Sequence, residues 1–236
     1  MLVAAAVCPH PPLLVPELAA GAGHELDGLR ALCDAAVGRL CATPMDLLVV
    51  VGEAPSVGPF PDGAWGSLAA YGVDVRVGEP VEGAPAATLP LSLTIATWLL
   101  ERQPAASPPR LLFGVAVDTE PQRCAQLGAL LADRADRVGL LVMGDASARR
   151  SLKGPGYLDP RAEPFDTEVA AGFRAGDPDA LAAVDPVLAT ELFAAGRPAW
   201  QVLAGAAAGR RWQAELTHDG APYGVTYLVA TWTVPT

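Results

Sequence analysis

Basic side chains are scarce in this chain. Lys153 is the only lysine among 236 residues, no Lys or Arg precedes Arg30, and the formal net charge is −10. An acidic surface gains nothing from a phosphate backbone or an anionic bilayer, so neither nucleic acid nor membrane is an expected partner. Histidine is as rare, limited to His10, His24 and His218. The four cysteines, Cys8, Cys33, Cys41 and Cys124, form no CxxC pair, which argues against a zinc ribbon or a thioredoxin-type centre. In a chain of this length they read as free or buried thiols in a reducing, cytoplasmic compartment. No run of 18 apolar residues exists, so no membrane-spanning helix is expected. The apolar stretch Leu2–Val7 has neither the basic flank nor the length of a signal peptide and reads as a buried first strand. Neither GxSxG nor GxGxxG occurs, which removes the nucleophile elbow and the dinucleotide fingerprint.

What is present is material for a core. Apolar residues make up 51% of the chain and charged residues 18%, the balance of a compact globule, and 236 residues fit one domain spanning 1–236. Val3–Cys8, Asp46–Gly52, Arg110–Val117 and Val138–Met143 are short apolar runs bounded by turn residues, the pattern of strands buried on both faces. Tyr71–Val77 alternates and reads as a strand nearer an edge. Helical spacing predicts helices over His24–Cys41, Thr88–Arg102 and Glu120–Arg134, the last capped by Asp118 or Thr119. Further helices are predicted at Asp166–Arg174, Asp179–Ala195 (interrupted near Pro186) and Pro198–Gly209. Strands Arg211–His218 and Tyr223–Trp232 follow, joined by an Asp219-Gly220 hairpin turn. The alternation implies an α/β fold with a mixed central β-sheet flanked by helices.

Two segments could carry chemistry. In Cys8-Pro9-His10-Pro11-Pro12-Leu13-Leu14-Val15-Pro16-Glu17 a histidine leaves the first strand into a proline-stiffened loop, and ligands of α/β sheets bind outside the carboxyl ends of strands. The loop Asp145–Tyr157 concentrates Arg149, Arg150 and Lys153, which either hold a carboxylate or phosphate or pair with Asp159, Glu163 or Asp166.

The run Pro9–Glu17 resembles the N-terminal loop of class III extradiol dioxygenases and of the related Memo-type proteins. Gly144-Asp145-Ala146-Ser147 is similar to a later loop of that family, and Ala221-Pro222-Tyr223-Gly224-Val225-Thr226-Tyr227-Leu228-Val229 to its closing strands. The resemblance covers nearly the whole chain in order. It implies an extradiol dioxygenase-like fold and ferrous iron held by two histidines and a carboxylate, with a further histidine as acid/base. His10 stands at the first ligand position. Glu53 stands at the second, where the family has histidine. Ala148 and Arg149 follow Ser147, where the acid/base histidine would be. Gly220 precedes Ala221-Pro222, where the carboxylate would be, with Asp219 and His218 just before it.

The leading expectation is therefore a diverged member of this family that lacks the standard iron site and ring cleavage, with a pocket near His10, Glu53, Asp145 and Asp219. An alternative is a metal-dependent oxidoreductase whose altered ligand set, His10 and Glu53 with Asp219 or His218, holds Fe²⁺ or another divalent metal. A third is a non-catalytic binding or assembly protein. Asp145 and Ser147 are the only catalytic candidates left, a small-molecule ligand is expected in the pocket, and the family's habit of pairing its chains makes homo-oligomers an expectation.

Overall fold

The computed structural model describes residues 1–19, 23–79, 87–103 and 108–235. The predicted strands form where the apolar runs lie: β1 (Leu2–Cys8), β2 (Leu47–Glu53), β6 (Arg110–Val115) and β7 (Val138–Met143). With β3 (Gly58–Pro59), β8 (Gln213–Gly220) and β9 (Tyr227–Thr233) they make a seven-stranded mixed sheet in the order β3-β6-β2-β7-β1-β9-β8. The four central strands are mutually parallel, and β3, β9 and β8 flank them through antiparallel pairs. The pleat explains the continuous hydrophobicity. In β2, Val49 and Val51 enter one core with α3 (Pro121–Ala132), α4 (Ala162–Ala175) and α7 (Arg197–Ala207). Leu48 and Val50 enter the other with α1 (Asp27–Ala42) and α2 (Leu91–Glu101). Helices thus cover both faces, and each face selects its own set of apolar residues. Among the described residues no helix is long and apolar enough to cross a membrane.

Several boundaries differ from the sequence expectation for local reasons. Tyr71–Val77 is no continuous strand. Ala69–Tyr71 is a 3-10 turn closed by Gly72 at φ 90°, and only β5 (Arg76–Val77) pairs, with β4 (Gly66–Ser67). The second helix starts at Leu91 rather than Thr88 because Pro90 occupies the capping position in extended conformation. Glu120, not Asp118 or Thr119, caps α3, with Pro121 in its first turn and no side-chain cap bond. The span Asp179–Ala195 splits into α5 (Pro178–Ala182) and α6 (Pro186–Glu191), each begun by an aspartate, Asp177 and Asp185, whose carboxylate accepts two backbone N–H bonds.

The C-terminal hairpin is the largest departure. Asp219 and Gly220 are not its turn; they lie within β8, paired with Leu228 and Tyr227. The connection is the loop 221–226, with Gly224 at φ 78°. Tertiary bonds claim that loop: Arg150 N–H donates to Gly224 O (3.0 Å) and Thr226 N–H to Ser147 O (2.9 Å). A local hairpin signal is overridden by anchorage to the loop that follows β7.

Candidate functional site

The carboxyl ends of the parallel strands all reach one rim, and a cavity of about 540 Å³ opens there, lined by His10, Glu53, Ser92, Asp118 and Ala195 among others. Each wall follows from its element. Beyond β1 and β7 the pairing continues as Gly144 N–H to Cys8 O (3.0 Å), and the Asp145 carboxylate then accepts the His10 backbone N–H at 2.8 Å. This fixes the histidine as the chain turns into the 3-10 turns Pro12–Leu14 and Pro16–Leu18, where proline occupies the first position of each. At the end of β2, Ser92 donates its hydroxyl to Glu53 O (2.6 Å), joining α2 to the strand. Gly52 permits that approach, since a Cβ there would lie 2.5 Å from Ser92 Oγ. Gly196 N–H donates to Asp145 O (2.9 Å) and brings the start of α7 over the rim.

His10 is 7% exposed, and its ring makes no hydrogen bond with any described residue. Nδ1 lies 3.9 Å from Asp145 Oδ1, outside bonding distance but inside the carboxylate's field. Glu53 is half-buried, and burial pushes its carboxyl pKa upward. The nearby Asp145 adds to that rise, whereas His10 and Arg197 oppose it. Arg197 is 2% exposed and donates to Val117 O, Thr119 O and Gln201 Oε1. Burial pulls its pKa down, offset by Cys124 and the carboxylates Glu120, Asp118 and Glu53.

His10, Glu53 and Asp145 therefore come together, as expected of residues at neighbouring strand ends. Asp219 and His218 do not line the cavity. The pleat of β8 sends these two to opposite faces, and a register shift between Leu216 and His218 decides which face each one meets. Asp219 turns to Arg174 of α4 (3.7 Å). His218 sits beside Val229 on the α1 face with Nε2 buried and unbonded, and burial lowers its pKa. A metal fits this arrangement poorly. His10, Glu53 and Asp118 line the cavity, but among the described residues no three His, Cys, Asp or Glu side chains are grouped to hold an ion.

Ser147 is fully buried in a different role. Its N–H and hydroxyl both donate to Asp166 (2.9 and 2.6 Å), itself 1% exposed, which also accepts from Thr226 Oγ1 (2.6 Å) and Arg150 Nη1 (3.2 Å). That node ties the post-β7 loop to α4 and to the loop that leads into β9. The three cations of the basic loop do not converge. Arg150 pairs with Asp166 and with Glu163 (3.3 Å), and Lys153 is exposed. The Arg149 guanidinium lies 4.4 Å over the Phe193 ring with Nε buried and unbonded. Phe193 and Tyr157 both adopt left-handed backbone (φ 58° and 61°), a strained state for aromatic residues.

Sequence reasoning missed Asp118, Ser92, Phe193 and Arg197 as site residues. Asp118 looked like a helix cap and Ser92 like a helix interior. The one available signal was position: Asp118 follows the end of β6, and Ser92 and Arg197 open α2 and α7, whereas Phe193 in the α6–α7 connection carried none.

No family model matches the chain, and no curated protein matches it. Among solved structures, an uncharacterized protein of Escherichia coli K12, JW3007, is similar in fold, with a TM-score of 0.58 at 16% identity over 98% of this chain and 99% of that one.

Proposed function

We propose that this chain is a diverged relative of the class III extradiol dioxygenases in which the rim cavity is retained as a small-molecule binding site and aromatic-ring cleavage is lost. The observation that carries the reading is the composition of that cavity. It keeps a buried, hydrogen-bond-free imidazole at His10. It carries a carboxyl at Glu53, and Asp219 and His218, where the family resemblance would look for a further ligand, point elsewhere. The position after Ser147 that would supply an acid/base histidine is filled by Ala148, which is buried, and by Arg149, which stacks on Phe193. Without a grouped set of three donors and a histidine to shuttle protons, oxygen activation on a catechol is not sustained. A preformed concave site with a few convergent polar groups still suits ligand binding.

The test pairs metal content with binding. After anaerobic incubation with Fe²⁺ and desalting, iron is expected far below one equivalent, equal in the parent and in His10→Ala, with no ring-opened product from catechol in air. A fragment library followed by ¹H–¹⁵N NMR is expected to shift the amides of Ala54, Ala116 and Ala195. One equivalent of iron that His10→Ala abolishes, with catechol cleavage, overturns the proposal.

A further inference from the structure

The cavity has an electrostatic sign. Glu53 sits within it, Asp118 at its exposed edge, and Asp145 behind the His10 ring, and among the described residues no lysine or arginine lines it. Opposing these three carboxylates are the buried Arg197, whose bonds go to carbonyl oxygens and Gln201, and the first turn of α2 at Leu91, worth about half a positive charge. The balance stays negative, in a chain whose net charge is already −10.

The imidazole supplies the second, independent observation. It is nine-tenths buried, faces the cavity and has no partner among the described residues. Nδ1, 3.9 Å from the Asp145 carboxylate, is the buried ring nitrogen left without a partner. Carboxylates around an unpartnered imidazole favour an occupant that carries positive charge. The third observation is shape. A neighbouring groove of about 290 Å³ shares Glu53, Val117 and Ala195 with the cavity and runs on to Ala189 and Phe193, an almost wholly apolar lining.

We propose that this site binds a small organic cation, a primary amine whose ammonium group sits among Glu53, Asp118 and the His10 ring and whose apolar or aromatic body lies along Val117 towards Phe193. An ammonium carries three N–H donors, and the Glu53 and Asp118 carboxylates at the cavity are acceptors for them. The arriving cation offsets the burial penalty on the Glu53 carboxylate. This rests on the reading of the cavity as a binding site and adds the class of its occupant.

The experiment is calorimetric titration of the full-length protein at pH 7 with three probes of similar shape: 2-phenylethylamine, 2-phenylethanol and phenylacetate. The amine is expected to bind at least about tenfold more tightly than the alcohol, with phenylacetate weakest, and Glu53→Gln to weaken the amine about tenfold and the alcohol much less. The amide shifts of Ala54, Ala116 and Ala195 place the probe. If the alcohol or phenylacetate binds there as tightly as the amine, the cation assignment falls and the binding-site reading stands. If no probe and no library fragment moves those amides, both fall. The probe series decides the question even should Glu53→Gln fold poorly.

Discussion

Asp166 is the sharpest place to perturb this structure. Its carboxylate is 1% exposed and accepts from the Ser147 N–H, the Ser147 hydroxyl, the Thr226 hydroxyl and Arg150. Replacing it with alanine strands the Ser147 hydroxyl and backbone N–H and the Thr226 hydroxyl, and leaves the Arg150 guanidinium with Glu163 as its remaining carboxylate. Removing one partner of such a buried charged network costs about 3–5 kcal/mol. For a chain of this size each kcal/mol moves Tm by about 2–4 °C, so Asp166→Ala is expected to melt about 6–20 °C lower. Asp166→Asn keeps one acceptor oxygen and the shape, and its loss is expected near 2 kcal/mol, roughly the value of a charge-assisted bond. Thermal unfolding followed by far-UV circular dichroism, with urea denaturation for the free energies, measures both. The node also holds the loop bearing Asp145 against His10, so ligand-induced amide shifts at Ala195 should shrink in Asp166→Asn. An Asp166→Ala protein that melts within about 2 °C of the parent would refute the claim that this carboxylate organises the loop.

Other outcomes follow from the same geometry. Tyr157→Asn replaces a strained, exposed left-handed aromatic by a residue that tolerates that backbone, and is expected to raise Tm by about 2–4 °C, or up to about 1 kcal/mol. A lower Tm would mean that the ring makes compensating contacts. Gly205→Val puts a side chain where even a Cβ would lie 2.0 Å from Ala125 O at the α3–α7 contact, and is expected to abolish soluble expression or lower stability by more than about 3 kcal/mol, read by urea denaturation. Because burial raises the Glu53 carboxyl pKa above its unfolded value, its contribution to stability is present below the unfolded pKa and is lost as pH rises through the folded one. Glu53→Gln should therefore be more stable than the parent at pH 7, with the advantage vanishing towards pH 4 in parallel denaturant titrations. His218 runs the other way. Burial lowers its pKa, so its neutral form stabilises the fold above the unfolded value of 6.5 and that stability is lost as pH falls. His218→Gln should flatten the decline in stability between about pH 7 and pH 5.

How far the sequence reaches is visible element by element. The four central strands are legible because burial on both faces leaves an uninterrupted apolar run, and the α/β alternation names the sheet. The Asp219-Gly220 turn misleads because a strong local signal loses to tertiary bonds from Arg150 and Ser147 that no short window contains. His10 and Glu53 can be placed at one rim because both end strands of the same sheet. Asp219 and His218 cannot, because a single register shift decides which face each one meets. The Asp166 node is half-visible. The cations of the basic loop suggest pairing with Asp159, Glu163 or Asp166, and Arg150 does so, but nothing in the spacing predicts the two hydroxyls that share the carboxylate.

The place of β1 in the sheet has a consequence for how the chain is made. Ala5 pairs with Leu140 on one side and with Trp232 on the other. This early strand therefore stands unpaired while it leaves the ribosome, until the middle of the chain arrives, and stays half-open until β9 is translated. Long-range pairing of this kind slows folding, and an apolar strand waiting for its neighbour invites intermolecular pairing. The nascent chain should depend on holding chaperones late into synthesis, and chains truncated before Tyr227 should aggregate however sound the rest of the sheet is.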